Sequence, residues 1–239
     1  MPAKARLFFL AVRNKLSKMS SRTYAIFVTL IGAVCSYVVI KRSFSADSLI
    51  LRNALIQGFF VGFGLALVTI EILARIKIVR INGWVTAVGC GLPGNGMFTR
   101  AAHIRIFPGP INVPQEAMYW KTNVDGAGRT LSGEHDYIMH FPPQGLPPND
   151  AFWSLTMADA KERFVANPLN RYLVGDRSGL VANADGSVDV YIQNTTPAGY
   201  ESNWLPAPSG SFRLWLRAYM PGAVALEGKY AVPPVIKTR

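Results

Sequence analysis

Few residues of this chain have types and spacings that could carry chemistry. The histidines are His103, His135 and His140. His135 and His140 are five apart, so an extended chain sends them to opposite faces, and the adjacent Glu134 and Asp136 splay in the same way. No HExxH, paired cysteine or carboxylate cluster accompanies them, which favours structural or surface histidines over a metal site. Cys35 lies in an apolar run and Cys90 in a Gly-rich loop, so the two form neither a disulfide framework nor a metal spacing. Ser154 and Ser187 sit in neither GxSxG nor SxxK. A triad is defined in space, so a nucleophile stays open, while backbone-bonded hydroxyls are the plain expectation. Gly89-Cys90-Gly91-Leu92-Pro93-Gly94 fits GxGxxG, but Pro93 stands where a helix should open and no βαβ unit surrounds it. A connector is the better account. No cofactor and no metal are expected, and no catalytic residue is assigned.

The Arg and aromatic positions say more. Arg171-Tyr172, Trp204, Trp215 and Arg217-Ala218-Tyr219 are of types that anchor interfaces or line pockets. They are equally the types with which a β-sandwich completes its core, and that structural use is the first expectation. The candidate ligand or partner residues are Trp153, Asn167, Arg171, Tyr172, Asn203, Trp204, Arg217 and Tyr219. Convergence on one solvent-connected cavity with an unpaired Arg would mark a site, whereas mutual satisfaction in the interior would mark architecture.

Such residues need elements to hold them, and the chain changes grammar near residue 80. Half of its 239 residues are hydrophobic and only 16% are charged. Residues 1–80 hold 12 Lys/Arg against 2 acids, leaving 13 against 12 in the remainder, so nearly all of the net +11 belongs to the apolar third. A nearly neutral C-terminal part without a basic stripe argues against nucleic acid as a partner. Residues 24–40 (YAIFVTLIGAVCSYVVI) and 53–70 (NALIQGFFVGFGLALVTI) carry no charge. At 1.5 Å per residue each reaches roughly 26 Å, which predicts a transmembrane helical hairpin with flanking Lys and Arg at the headgroups. Gly58 and Gly62 have the small-xxx-small spacing that lets helices approach closely, either within the hairpin or between subunits. The leader sets Lys4, Arg6, Arg13, Lys15, Lys18 and Arg22 opposite Phe8, Phe9, Val12, Leu16 and Met19, as in a helix lying on anionic headgroups; a basic tail is the competing reading. Basic residues at both outer ends outnumber Lys41, Arg42 and Arg52 in the loop, so the positive-inside rule puts both ends in the cytoplasm.

Beyond residue 80, β-rich runs at 118–124, 137–141, 152–157, 188–193 and 212–219 alternate with turns such as Asp125-Gly126 and Asp185-Gly186. Along the last run Phe212, Leu214 and Leu216 oppose Arg213, Trp215 and Arg217, which predicts a strand with two unlike faces. Residues 98–106 suit a short helix. Without βαβ alternation or repeats, the pattern predicts an antiparallel sandwich.

Read in order, residues 119–125, Tyr137, 151–156 (AFWSLT), 167–172 (NPLNRY), 185–187 (DGS), 203–208 (NWLPAP) and 216–221 (LRAYMP) resemble the signature of a bacterial and archaeal family known as domain of unknown function 1214. The family is often fused to unknown-function family 1254. The resemblance spans about residues 84–235. It implies a jelly-roll-like antiparallel β-sandwich in envelope-associated proteins, with no agreed reaction. Members with one N-terminal helix imply a domain outside the cytoplasm, against the charge count here. The hairpin stands where fused members have their partner domain.

The expectation is therefore a basic leader (1–22), a two-helix transmembrane hairpin (23–80) and a β-sandwich (81–239). Its partners would be the bilayer, anionic headgroups and another membrane protein or a second copy. The first function expected is a membrane-anchored accessory or interaction module. The rival is an envelope enzyme or small-ligand binder with a pocket in the sandwich.

Overall fold

The computed structural model describes residues 31–32, 34–38 and 48–239, which divide into two compact units. In the first unit the uncharged run after Arg52 is helical, within α1 (Ser48–Ile76). Its stretch Arg52–Ile76 is long and apolar enough to cross a membrane by length and composition, reaching about 37 Å. Leu55, Phe59, Phe60, Phe63, Leu67, Val68 and Ile72 are exposed along it, Phe59 by 68%. An α-helix in water does not normally leave such a surface uncovered.

Most of the predicted first span, residues 24–40, lies outside the described residues, as does the leader 1–22. Of that span Ile31, Gly32 and residues 34–38 are helical. Ser36 approaches α1 at Gly58, where a Cβ would lie 2.8 Å from its Oγ. A Cβ at Gly62 would meet nothing within 4 Å. Among the described residues the two glycines thus have different surroundings: Gly58 adjoins the preceding helical segment, and Gly62 has no neighbour.

The unit is completed by α2 (Met97–Ile106), which packs on the C-terminal end of α1. Leu73 and Ala74 of α1 meet Ala102 of α2, with Ile70, Ile76, Phe98 and Ile106 around them. Above this apolar seam Glu71 accepts from Arg75 at 3.1 Å and lies 3.7 Å from Arg105.

The second unit, Ile78–Cys90 with Asn112–Arg239, is built from strands. It opens with a hairpin of β1 (Val79–Ile81) and β2 (Trp84–Thr86). Asn82 and Gly83 both take positive φ at its turn, the geometry that matches the twist of paired strands. Next come β3 (Ala117–Thr122), β4 (Tyr137–Phe141), β5 (Asn149–Asp159), β6 (Leu173–Gly175), β7 (Val188–Gln193), β8 (Trp204–Pro206), β9 (Phe212–Pro221) and β10 (Val235–Lys237). One sheet is antiparallel throughout, in the order β1-β2-β3-β9-β5-β6. The other has the order β10-β4-β7-β8.

The two sheets share one core. Trp120, Leu155, Leu214 and Leu216 of the larger sheet are buried in one cluster with Met139, Val190, Ile192 and Leu205 of the smaller. Tyr137 meets Phe212 edge-on at 5.8 Å, and Phe141 meets Trp153 at 5.3 Å. This is the sandwich expected from alternation, with one correction. The smaller sheet is mixed, because β7 and β8 run parallel. Residues 194–203 carry the chain back past β7, ending in a 3-10 turn at Glu201–Asn203. That connection suffices because β8 has only three residues.

Candidate functional site

Alternation along β9 gives the larger sheet a second face. Arg213, Trp215, Arg217 and Tyr219 point away from the core, and the register sets Tyr119 and Lys121 of β3 and Phe152, Ser154 and Thr156 of β5 beside them. Cations and rings alternate across this surface. Arg177 lies 4.4 Å over the Phe152 ring, Phe152 stacks on Tyr219 at 4.2 Å, Arg217 lies 5.3 Å from the Trp215 ring, and Lys121 lies 4.8 Å from the same ring.

Glu162, in a turn just after β5 with φ 63°, gathers one end of this row. Its Oε1 accepts from Lys121 Nζ and Arg213 Nη1, and its Oε2 accepts from Trp215 Nε1 at 2.7 Å. Burial alone would raise its pKa, and these three donors outweigh burial, so the carboxyl is held below its ordinary range. Lys121 and Arg213 are thereby paired with a carboxylate of the protein, which they share.

Arg217 is not. Its Nη1 donates to Thr156 Oγ1 at 2.8 Å, and among the described residues no carboxylate pairs with it. Burial lowers its pKa from the ordinary value, although a guanidinium in this range keeps its charge. Tyr119 stands beside it, its hydroxyl pushed up chiefly by burial, and accepts from the Asn112 amide at 3.5 Å. A desolvated guanidinium framed by Tyr119, Trp215 and Tyr219 can donate to the oxygens of an incoming carboxylate or phosphate.

A second feature lies at the smaller sheet. The β4–β7 register pairs His140 with Asp189 and sets Nδ1 2.7 Å from Oδ1. Asp189 Oδ2 also accepts from Asn183 Nδ2 at 2.9 Å. His140 belongs to the wall of a groove of about 500 Å³ formed with Pro142, Leu146, Pro148, Tyr230 and Pro234. A carboxylate on Nδ1 is how an imidazole is oriented for proton transfer at Nε2. Glu162 and Asp189 carry no sequence signal for these roles, because their partners lie 41 to 53 residues away.

The other predicted residues lie elsewhere. Asn167 closes its own turn, bonding Val165 O, Arg171 O and the amides of Leu169 and Arg171. Arg171 donates to Glu201 O at 2.5 Å and Trp204 O at 2.9 Å. Asn203 is buried, bonding both backbone groups of Val181 and Asp189 O. Trp204 donates to Gln193 O, and Tyr172 donates to Asn170 Oδ1 at 3.3 Å. Trp153 is a core residue whose Nε1 has no partner among the described residues. The eight therefore do not meet in one cavity. Arg217 and Tyr219 share the outer face, while Asn167, Arg171, Asn203 and Trp204 tie loops to strands.

Fold and surface together define a two-sheet β-sandwich with a basic aromatic outer face, joined in sequence to an apolar helix. Within it, residues 116–223 match the family described as "Protein of unknown function (DUF1214)". A comparison with curated proteins gives no match. Among solved structures the chain is similar to the VPA0106 protein of Vibrio parahaemolyticus, at 23% identity and a TM-score of 0.60, covering 82% of this chain and 47% of that one. A putative uncharacterized protein from Burkholderia cenocepacia matches at 16% identity and a TM-score of 0.44, over 84% of this chain and 46% of its own. The chain thus spans about half the length of these structures.

Proposed function

We propose that this chain is a membrane-anchored β-sandwich module that serves as an accessory or interaction subunit of a membrane protein assembly. α1 and the apolar run before it hold the protein in the bilayer, and the face around Arg217 receives an acidic side chain of the partner. The excess of Lys and Arg at both outer ends supports a cytoplasmic position for the sandwich. Arg217 carries the reading: a partly buried cation without a carboxylate is an unfinished ion pair, and an acid from another protein would finish it. Arg217→Ala in the full chain should weaken retention of the co-purifying partner in mild detergent by about tenfold or more, with near-UV circular dichroism unchanged. Undiminished retention would overturn the assignment.

The rival reading, an envelope enzyme or ligand binder, is favoured by the His140–Asp189 pair at its groove. It requires a small molecule whose saturable binding to the wild-type chain is lost in His140→Gln.

A further inference from the structure

The first unit holds a cavity of about 400 Å³ between α2 and the segments on either side of it. Leu92, Ile104, Pro110 and Ile111 supply apolar wall, and Arg100 and His103 supply nitrogen. His103 is 3% exposed, yet among the described residues neither Nδ1 nor Nε2 has a hydrogen-bond partner. Interiors rarely leave both sides of an imidazole unmet, so the cavity beside His103 is where a partner for its nitrogens, water or ligand, would sit. Burial first, and the charge of Lys77 second, lower the His103 pKa, so at neutral pH the ring offers one donor and one acceptor.

Arg100 reinforces the polarity of the site. It spends one N–H on Pro93 O at 2.9 Å, is otherwise exposed, and among the described residues has no carboxylate partner. A guanidinium and a Lys nearby favour an anion over a neutral head. The apolar wall indicates what that anion is attached to. Leu92, Met97 and Ile104 are exposed on the turn and helix that bound the cavity, Met97 by 65%. Water would suit the imidazole but not this rim. Because α2 packs on the last turns of α1, the cavity lies at the level where that helix ends. That it coincides with the headgroup layer rests on the membrane reading of α1; the chemistry of the cavity does not.

We infer that this cavity binds the anionic head of an amphiphile, a carboxylate or phosphate borne on an acyl chain, with His103 and Arg100 holding the head oxygens and Leu92 and Ile104 the first methylenes. The source is either a membrane lipid or a free fatty acid, and both present the same chemistry.

The test uses the full chain in dodecyl maltoside, with cis-parinarate as a fluorescent fatty-acid probe and oleate, dioleoylphosphatidate, acetate and inorganic phosphate as competitors. Wild type should bind the probe saturably. His103→Phe, which keeps a ring but removes both nitrogens, and the surface change Arg100→Gln should each weaken binding about tenfold, roughly the loss of one charged hydrogen bond. Displacement by phosphatidate alone identifies a lipid head, by oleate alone a fatty acid, and by both a site that reads the head and chain they share. Equal binding by both variants overturns the inference and leaves a water-filled cavity. Displacement by inorganic phosphate at oleate's concentration overturns the amphiphile in favour of a free anion. Flotation of the same proteins with phosphatidylcholine vesicles separates this from the anchor: a wild-type chain that floats but binds no probe saturably rejects the pocket alone.

Discussion

At the scale of single residues, two tryptophans of one core have opposite polar fates. Trp84 Nε1 donates to Pro233 O at 2.8 Å, whereas Trp153 Nε1 is buried with no acceptor among the described residues. Replacing either by Phe removes similar volume, but only at position 84 does it orphan a carbonyl, and at position 153 it removes an orphaned donor. Urea unfolding should show Trp84→Phe costing about 1–2 kcal/mol more than Trp153→Phe. Equal costs would mean that the Trp153 N–H is satisfied after all. The types of both residues were legible in the sequence; their hydrogen-bond fates were not, since Pro233 lies 149 residues from Trp84.

At the scale of elements, β3, β5 and β9 are held together on their outer face by Glu162. Its folded pKa is depressed, so its contribution is fully present above the ordinary carboxylate value, near 4.5, and is lost as pH falls through the lower folded value. Glu162→Gln should cost about 1–3 kcal/mol at pH 7. The gap between variant and wild type should stay constant down to about pH 4.5 and close below it, as read from Tm against pH. A gap that widens in acid would contradict the depressed pKa. In the helical unit, Gly58 adjoins Ser36, whereas Gly62 adjoins none of the described residues. Gly58→Leu should push the helices apart and lower thermal stability in detergent, by about 1–3 kcal/mol, while Gly62→Leu should not. Equal effects would place Gly62 in a contact of its own, as between subunits.

At the scale of the whole molecule, the proposal is that a sandwich with an unfinished cation is held in place by lipid-facing helices. The full chain should stay in the membrane fraction through alkaline carbonate washing and leave it only with detergent. A Ser45→Cys variant should react with an impermeant maleimide in intact cells. Labelling confined to permeabilised cells would reverse the sidedness, and release by carbonate would remove the anchor.

How much was legible follows from range. Where a strand alternates over five or six residues, as at Tyr137–Phe141 and Val188–Gln193, its own side chains announce it, and both bounds agree with the sequence reading. The absence of charge over residues 53–70 likewise states a solvent preference without help from the fold. Three-residue strands such as β6, β8 and β10 escaped, because so short a run has no period and forms only against a neighbour already in place. The family resemblance ordered the right segments but ranked loop-fastening residues, Asn167, Arg171 and Asn203, alongside Arg217. Whether an arginine is spent or available depends on which acids and carbonyls lie within about 3 Å of it. In this chain those partners come from distant strands, so local residue types state what must be buried, while long-range pairing selects which charges remain to be answered from outside.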